Sequence, residues 1–127
     1  MKKLIVFDFK NTLLTEQGDW LDGAQQAVLL ARRSSYELLL YSMNEQWTYT
    51  MLQKFSKEFC VFTSILLVTK KIETDLKSLR NQYESVVVVG DSVKEELAFA
   101  CTLNYPFLKV TQSISMTKIA ALLEQRR

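Results

Sequence analysis

A chain of 127 residues, with 48% apolar and 24% charged side chains, three glycines and one proline, has the size and composition of one globular domain with a real core. Sixteen basic against fourteen acidic residues leave a formal charge of +2, too small to argue for a nucleic-acid or anionic-membrane surface. No histidine is present, which excludes Ser-His and Cys-His nucleophilic schemes and His-ligated zinc.

Leu4 to Phe9 reads as a buried strand, followed by a loop or small hairpin at Thr15 to Asp19. A helix should open near Gly23, with Ala24, Ala27, Val28 and Ala31 at helical spacing up to Arg32 and Arg33. Leu38 to Tyr41 is a second apolar strand that ends in Ser42, Met43 and Asn44. Glu45 to Phe59 reads as one helix with Trp47, Met51, Leu52 and Phe55 inside, and Val61 to Val68 as a third strand closed by Lys70 and Lys71. Ile72, Leu76, Leu79 and Tyr83 mark a third helix. The four consecutive valines from Val86 to Val89 mark a fourth strand. A helix from Val93 capped by Asn104, a short strand from Phe107 to Val110 and a last helix from Ser115 to Leu123 complete the chain.

Apolar strands alternating with helices predict an α/β fold, a three-layer, doubly wound parallel sheet of about five strands in one domain over 1–127. Cys60 and Cys101 are isolated in apolar or helical surroundings and are expected to be buried free thiols, which implies a reducing, cytoplasmic setting. The apolar opening from Met1 to Phe7 is cut by Asp8 and Lys10 too early for a signal peptide, and no other run approaches a membrane span.

Two strands drive straight into a carboxylate, the first at Asp8 and the fourth at Asp91 after Gly90, which is how an open α/β sheet builds a site at its carboxyl edge. Read as a continuation of the first strand, Lys10 would point the same way as Asp8. Trp20, in the loop after the first strand, and Trp47, at the start of the second helix, are aromatic candidates for contacts at that edge; the plainer reading makes them a loop anchor and a core residue.

Over nearly its whole length the chain resembles the haloacid dehalogenase-like (HAD) superfamily, whose members carry four short motifs at successive strand ends. Asp8-Phe9-Lys10-Asn11-Thr12 is similar to the first motif, Asp-x-Asp-Gly-Thr, and Ser42 matches the hydroxyl of the second. Lys70 or Lys71 offers the lysine of the third, and Gly90-Asp91-Ser92 with Glu95 and Ala98 resembles the fourth. The resemblance implies a capless Rossmannoid hydrolase of phosphatase or phosphotransferase type, because neither gap where a cap is usually inserted has room for one. It implies Asp8 as nucleophile forming an aspartyl-phosphate, Ser42 and Lys70 or Lys71 on the phosphoryl oxygens, and Mg²⁺ on Asp8, Asp91 and the carbonyl of Lys10. An open site of this kind suits a phosphorylated substrate that is itself a macromolecule, or a lid supplied by a second copy or a protein partner.

Two positions depart from the pattern. Asn11 replaces the usual Gly, although Asn tolerates left-handed backbone. Lys10 replaces the second Asp, the family's general acid/base, and its ammonium can act only as an acid. The side chains of Asp8, Lys10, Asp91 and the third-motif lysine sum to about zero charge, so Lys10 is a candidate to stand in for the metal and weaken Mg²⁺ binding. The alternative for Lys10 is that it swings to solvent. A catalytically inactive HAD-fold module with a binding or regulatory role is the competing functional reading.

Overall fold

The computed structural model describes residues 2–70, 74–90, 105 and 107–109. Five strands, β1 (Lys2–Phe7), β2 (Tyr36–Met43), β3 (Ser64–Val68), β4 (Tyr83–Gly90) and β5 (Phe107–Lys109), form one sheet in the order β3-β2-β1-β4-β5. Every neighbouring pair is parallel. Chain order therefore runs outward from β1 to β2 and β3, then returns to the other side of β1 for β4 and β5. That reversal puts the switch point of the sheet between β1 and β4.

The strands are apolar on both faces because both faces are covered. Ile5 and Phe7, Leu38 and Leu40, and Val87 and Val89 join one buried cluster; Leu4 and Val6, Leu39 and Tyr41, and Val86 and Val88 join the other. Register locks this alternation, since Ile5 pairs with both Leu38 and Val87, and a slip of one residue would exchange the two faces. The first face is covered by α1 (Ala24–Arg33), α2 (Gln46–Lys54) and α3 (Ser56–Phe59), the second in part by α4 (Thr74–Lys77) and the 3₁₀ turn after it. Helix α1 presents Ala24, Ala27, Val28 and Ala31 to the sheet, and such small side chains let helix and strands approach closely. The result is the three-layer parallel α/β sheet expected, with the turn and small hairpin of residues 8–23 and α1 between β1 and β2, and α2 and α3 as the helices between β2 and β3.

Several boundaries differ from expectation for identifiable reasons. The helix expected over 45–59 is two helices, because Phe55 leaves helical geometry at φ −111°, ψ 34° and turns its ring into the cluster of Trp20 and Phe59. Strand β3 starts at Ser64 rather than Val61, since Phe62 folds back on Phe59 and packs edge-on against Phe7. Tyr83 begins β4 instead of ending a helix. Its phenol hydroxyl donates to Glu37 on β2 at 2.9 Å, and Lys2 on β1 binds the other oxygen of that carboxylate at 2.9 Å. The Lys2 hydrogen bond, then that of Tyr83, holds the Glu37 carboxyl below its ordinary range, while burial and then Glu37 push the Tyr83 phenol up. Cys60, expected to be buried, is exposed, its thiol donating to the Lys57 carbonyl at the end of α3. Cys101, Ile72, the helices expected from Val93 and Ser115, the Asn104 cap and Val110 lie outside the described residues.

Candidate active site

Asp8 is the first residue past β1, and its backbone N–H donates to the carbonyl of Val89 at 2.9 Å, tying the end of β1 to the end of β4 at the switch point. Its carboxylate is buried, at 7% exposure, and Thr12, wholly buried, donates its hydroxyl to Asp8 Oδ2 at 3.2 Å. A carboxylate this enclosed requires donors, since a buried charge without them is strongly disfavoured. Thr12 reaches it because the chain doubles back at once. The Phe9 carbonyl accepts from the N–H groups of Thr12, Leu13 and Leu14, and the Asn11 N–H donates to the Leu14 carbonyl at 2.7 Å. Asn11 stands at φ +63°, the left-handed conformation anticipated for the position where the pattern has Gly.

Tight turning also takes Lys10 off the strand. The sheet ends at Phe7, Phe9 drops into the first core cluster against Trp47 and Phe59, and Lys10 forms an isolated bridge with Leu14. The expectation that Lys10 extends the strand is therefore corrected. Its ammonium lies 3.5 Å from Glu45 Oε1 and 5.2 Å from the centre of the Trp47 ring, with the side chain 37% exposed. Trp47 is itself fixed by its indole N–H, which donates to the Glu16 carbonyl at 2.9 Å. Trp20 packs against Phe55 and Phe59 as a loop anchor, and an antiparallel bridge from Leu14 to Trp20 makes 15–19 the small hairpin expected.

Ser42 lies on β2 two residues past Leu40, the partner of Phe7, so it is at the same carboxyl edge as Asp8. It is buried, and its hydroxyl lies 3.5 Å from that of Thr48 on α2. Thr48 was missed by sequence reading. The available signal was a hydroxyl one residue from Trp47 in a helix whose inner face is otherwise apolar; it is the buried residue of α2. Asn44 continues the edge, with its N–H on the Val68 carbonyl and its side-chain oxygen accepting from Tyr49 at 2.6 Å. Glu45 follows in extended backbone just before α2 and makes no side-chain cap to that helix.

Lys70 is exposed two residues past β3, on the far side of β2 from Asp8. Lys71 and Asp91 lie outside the described residues, as do Ser92, Glu95 and Ala98. Among the described residues no three His, Cys, Asp or Glu side chains gather into a metal-holding group. Among the described residues, Asp8 is the buried carboxylate at this edge. Also among the described residues, no helix is long and apolar enough to cross a membrane.

No family model matches the sequence, and no curated protein matches it. Solved structures do. A D,D-heptose 1,7-bisphosphate phosphatase from B. bronchiseptica, solved with magnesium and phosphate, superposes over 100% of both chains with a TM-score of 0.74 at 14% identity. The core domain of a candidate phosphoglycolate phosphatase from Streptococcus pneumoniae TIGR4 gives 0.69 at 17% identity, over 98% of this chain and 96% of that one. The candidate HAD-hydrolase YfnB from Bacillus subtilis, bound to magnesium, gives 0.56 at 13% identity over 81% of this chain and 52% of its own. With its strand order, its two buried faces and an aspartate at the switch point, the chain has the haloacid dehalogenase-like fold.

Proposed function

We propose that the protein is a phosphohydrolase in which Asp8 attacks phosphorus and carries the phosphoryl group as an aspartyl-phosphate. The observation that carries this reading is the placement of Asp8: buried past the central strand at the switch point, held by Thr12 and the β4 backbone, at the carboxyl edge of the sheet where the neighbouring strand brings Ser42. In-line attack by a positioned carboxylate divides one difficult displacement into two easier ones. Ser42 would bind a phosphoryl oxygen, and Lys70 or Lys71 would supply a cation to the same group. The fold's likeness to phosphatases supports the reaction class.

For Mg²⁺, the donors fit in kind but are incomplete among the described residues. Asp8 and the Lys10 carbonyl are the hard oxygens this ion takes, and Asp91 would supply the second carboxylate. When bound, the ion would neutralise charge on the transferred group. The Lys10 ammonium meets Glu45 and Trp47, which favours a side chain turned to the mouth of the site over one standing in for the metal. The open carboxyl edge suits a phosphorylated macromolecule or a lid from a second copy or another protein, and the exposed free thiol of Cys60 fits a reducing cytoplasm.

The test is hydrolysis of an aryl phosphate with and without Mg²⁺, comparing the native chain and Lys10→Asp with Asp8→Asn as the blank. Magnesium-stimulated turnover above the blank is expected for the native chain. Turnover by Lys10→Asp alone would mark the native protein as a non-catalytic module with a binding or regulatory role, the reading that a lysine at the acid/base position favours. Silence from both would overturn the assignment of Asp8.

A further inference from the structure

We propose that the amino edge of the sheet carries a second binding site, for a small molecule bearing two or more phosphoryl groups, built from Lys2, Lys3, Arg32 and Arg33. An open hollow of about 1030 Å³ lies there, where β1 and β2 begin and α1 ends. Pockets for small ligands are commonly of this size. Asp8 and Ser42 stand at the opposite ends of the same two strands. At about 3.3 Å per residue, the step from Lys2 to Asp8 separates the two places by about 20 Å. The hollow is no part of the site around Asp8, and the inference does not depend on what Asp8 does.

Charge singles this edge out. Among the described residues, four cations and one carboxylate line the hollow, a local charge of +3 against +2 for the whole chain. The carboxylate, Glu37, already has partners, Lys2 at 2.9 Å and the Tyr83 hydroxyl at 2.9 Å. Also among the described residues, no carboxylate pairs with Lys3, Arg32 or Arg33. Arginines in the last turn of a helix complement its dipole, which accounts in part for Arg32 and Arg33. Lys2 and Lys3 come from a strand and have no such role, so the convergence of both pairs on one concave surface needs its own explanation. A cleft lined by one sign of charge focuses its field and draws in the opposite one.

The donors suit more than one anionic group. Arg32 is steadied by donating to the Tyr36 carbonyl at 3.4 Å, a bond that uses one of the five N–H groups of a guanidinium and leaves its planar fork for phosphoryl oxygens. Lys2 is steadied by Glu37. Hydroxyls add to the lining: Ser34, whose enclosed Oγ has no hydrogen-bond partner among the described residues, and Ser35, at φ +69° in the left-handed helix-end position where glycine is usual. A local charge of +3 is matched by a di- or triphosphate and exceeds that of one phosphoryl group. No aromatic ring stands among the described lining residues, so the hollow has no platform on which the bases of a single-stranded nucleic acid could stack.

The probe is inorganic tripolyphosphate, titrated by calorimetry into the native chain at low salt with EDTA present, so that no metal links it to the Asp8 edge. One molecule should bind per chain, at least about 10-fold more tightly than orthophosphate. Arg33→Ala and Lys3→Ala, neither of them in the core, should each weaken binding about 10-fold, as loss of one charge-assisted contact does, with thermal midpoints close to native. Lys54→Ala and Lys57→Ala, which remove the same charge from α2 and α3, should leave binding unchanged. Equal weakening by the two pairs would reduce the effect to diffuse charge and overturn the site. Binding lost in Ser42→Ala but kept in Arg33→Ala would put the probe at the Asp8 edge and overturn it too, as would no binding at all. A single-stranded RNA that binds more tightly than tripolyphosphate overturns the small-molecule assignment.

Discussion

Replacing Tyr83 with phenylalanine removes one hydroxyl that links β4 to β2 across the central strand. The bond is 2.9 Å long, part-buried, and ends on a carboxylate that Lys2 also binds at 2.9 Å. A hydrogen bond to a charged group contributes about 1.5–3 kcal/mol. Lys2 is 75% exposed and Glu37 15%, so solvent screening places this one at the low end, about 1–1.5 kcal/mol. With a urea dependence of about 2 kcal/mol per molar, the unfolding midpoint should fall by about 0.5–0.75 M at neutral pH. The pH dependence follows from direction. Glu37 has a folded pKa below its unfolded value, chiefly through Lys2 and then Tyr83, so its contribution is complete above the unfolded pKa and is lost as pH falls through the folded one. The penalty of Tyr83→Phe should therefore shrink below about pH 4. Tyr83 shifts the opposite way, chiefly through burial, so the stability tied to its neutral form is present at and below neutrality and lost only in strong alkali. Urea titrations of both proteins at pH 7 and pH 3 decide the matter. Equal penalties at the two pH values would refute the claim that the hydroxyl holds the charged carboxylate.

Asn11→Ala should cost about 1 kcal/mol in urea unfolding, because alanine resists φ +63°, whereas Asn11→Gly should cost nothing or stabilise slightly. Gly18→Ala should cost at least about 1 kcal/mol, since a Cβ at φ +89° would meet Met51 Sδ at 3.0 Å; Met51→Ala in the same chain should relieve the contact but not the backbone strain, leaving a partial recovery in the thermal midpoint. Thr12→Val, nearly isosteric in a fully buried position, should lose about 1–2 kcal/mol by leaving Asp8 short of a donor and should slow aryl phosphate hydrolysis; unchanged stability and rate would show that the hydroxyl does not hold the carboxylate.

The sheet was legible because each strand buried on two faces writes a continuous apolar run, and β1, β2 and β4 contain the runs 4–7, 38–41 and 86–89. Asp8 and Ser42 were legible as polar residues that end such runs. Periodicity could not show that Phe55 breaks a helix, since an aromatic that leaves the helix to join a ring cluster keeps the same apolar spacing. Tyr83 misled for a related reason: it continued a helical pattern, and its pairing with Lys2 in the sheet and its cross-sheet bond to Glu37 make it a strand residue. The contact between Lys10 and Glu45 lies between residues 35 apart in the chain, joined by two strand-end loops, and nothing local encodes it.

The two indoles of the chain sit in different electrostatic settings. Trp20 is stacked on Phe59 at 5.4 Å among apolar rings, while Trp47 has the Lys10 ammonium 5.2 Å from its own ring. A nearby cation shifts indole emission, so the fold carries an optical reporter in which one chromophore follows the packing of the core and the other the whereabouts of a single charge. With Trp20 replaced by phenylalanine, any phosphoryl ligand that draws Lys10 from Glu45 becomes visible as a colour change in the remaining fluorescence, before any bond is made or broken.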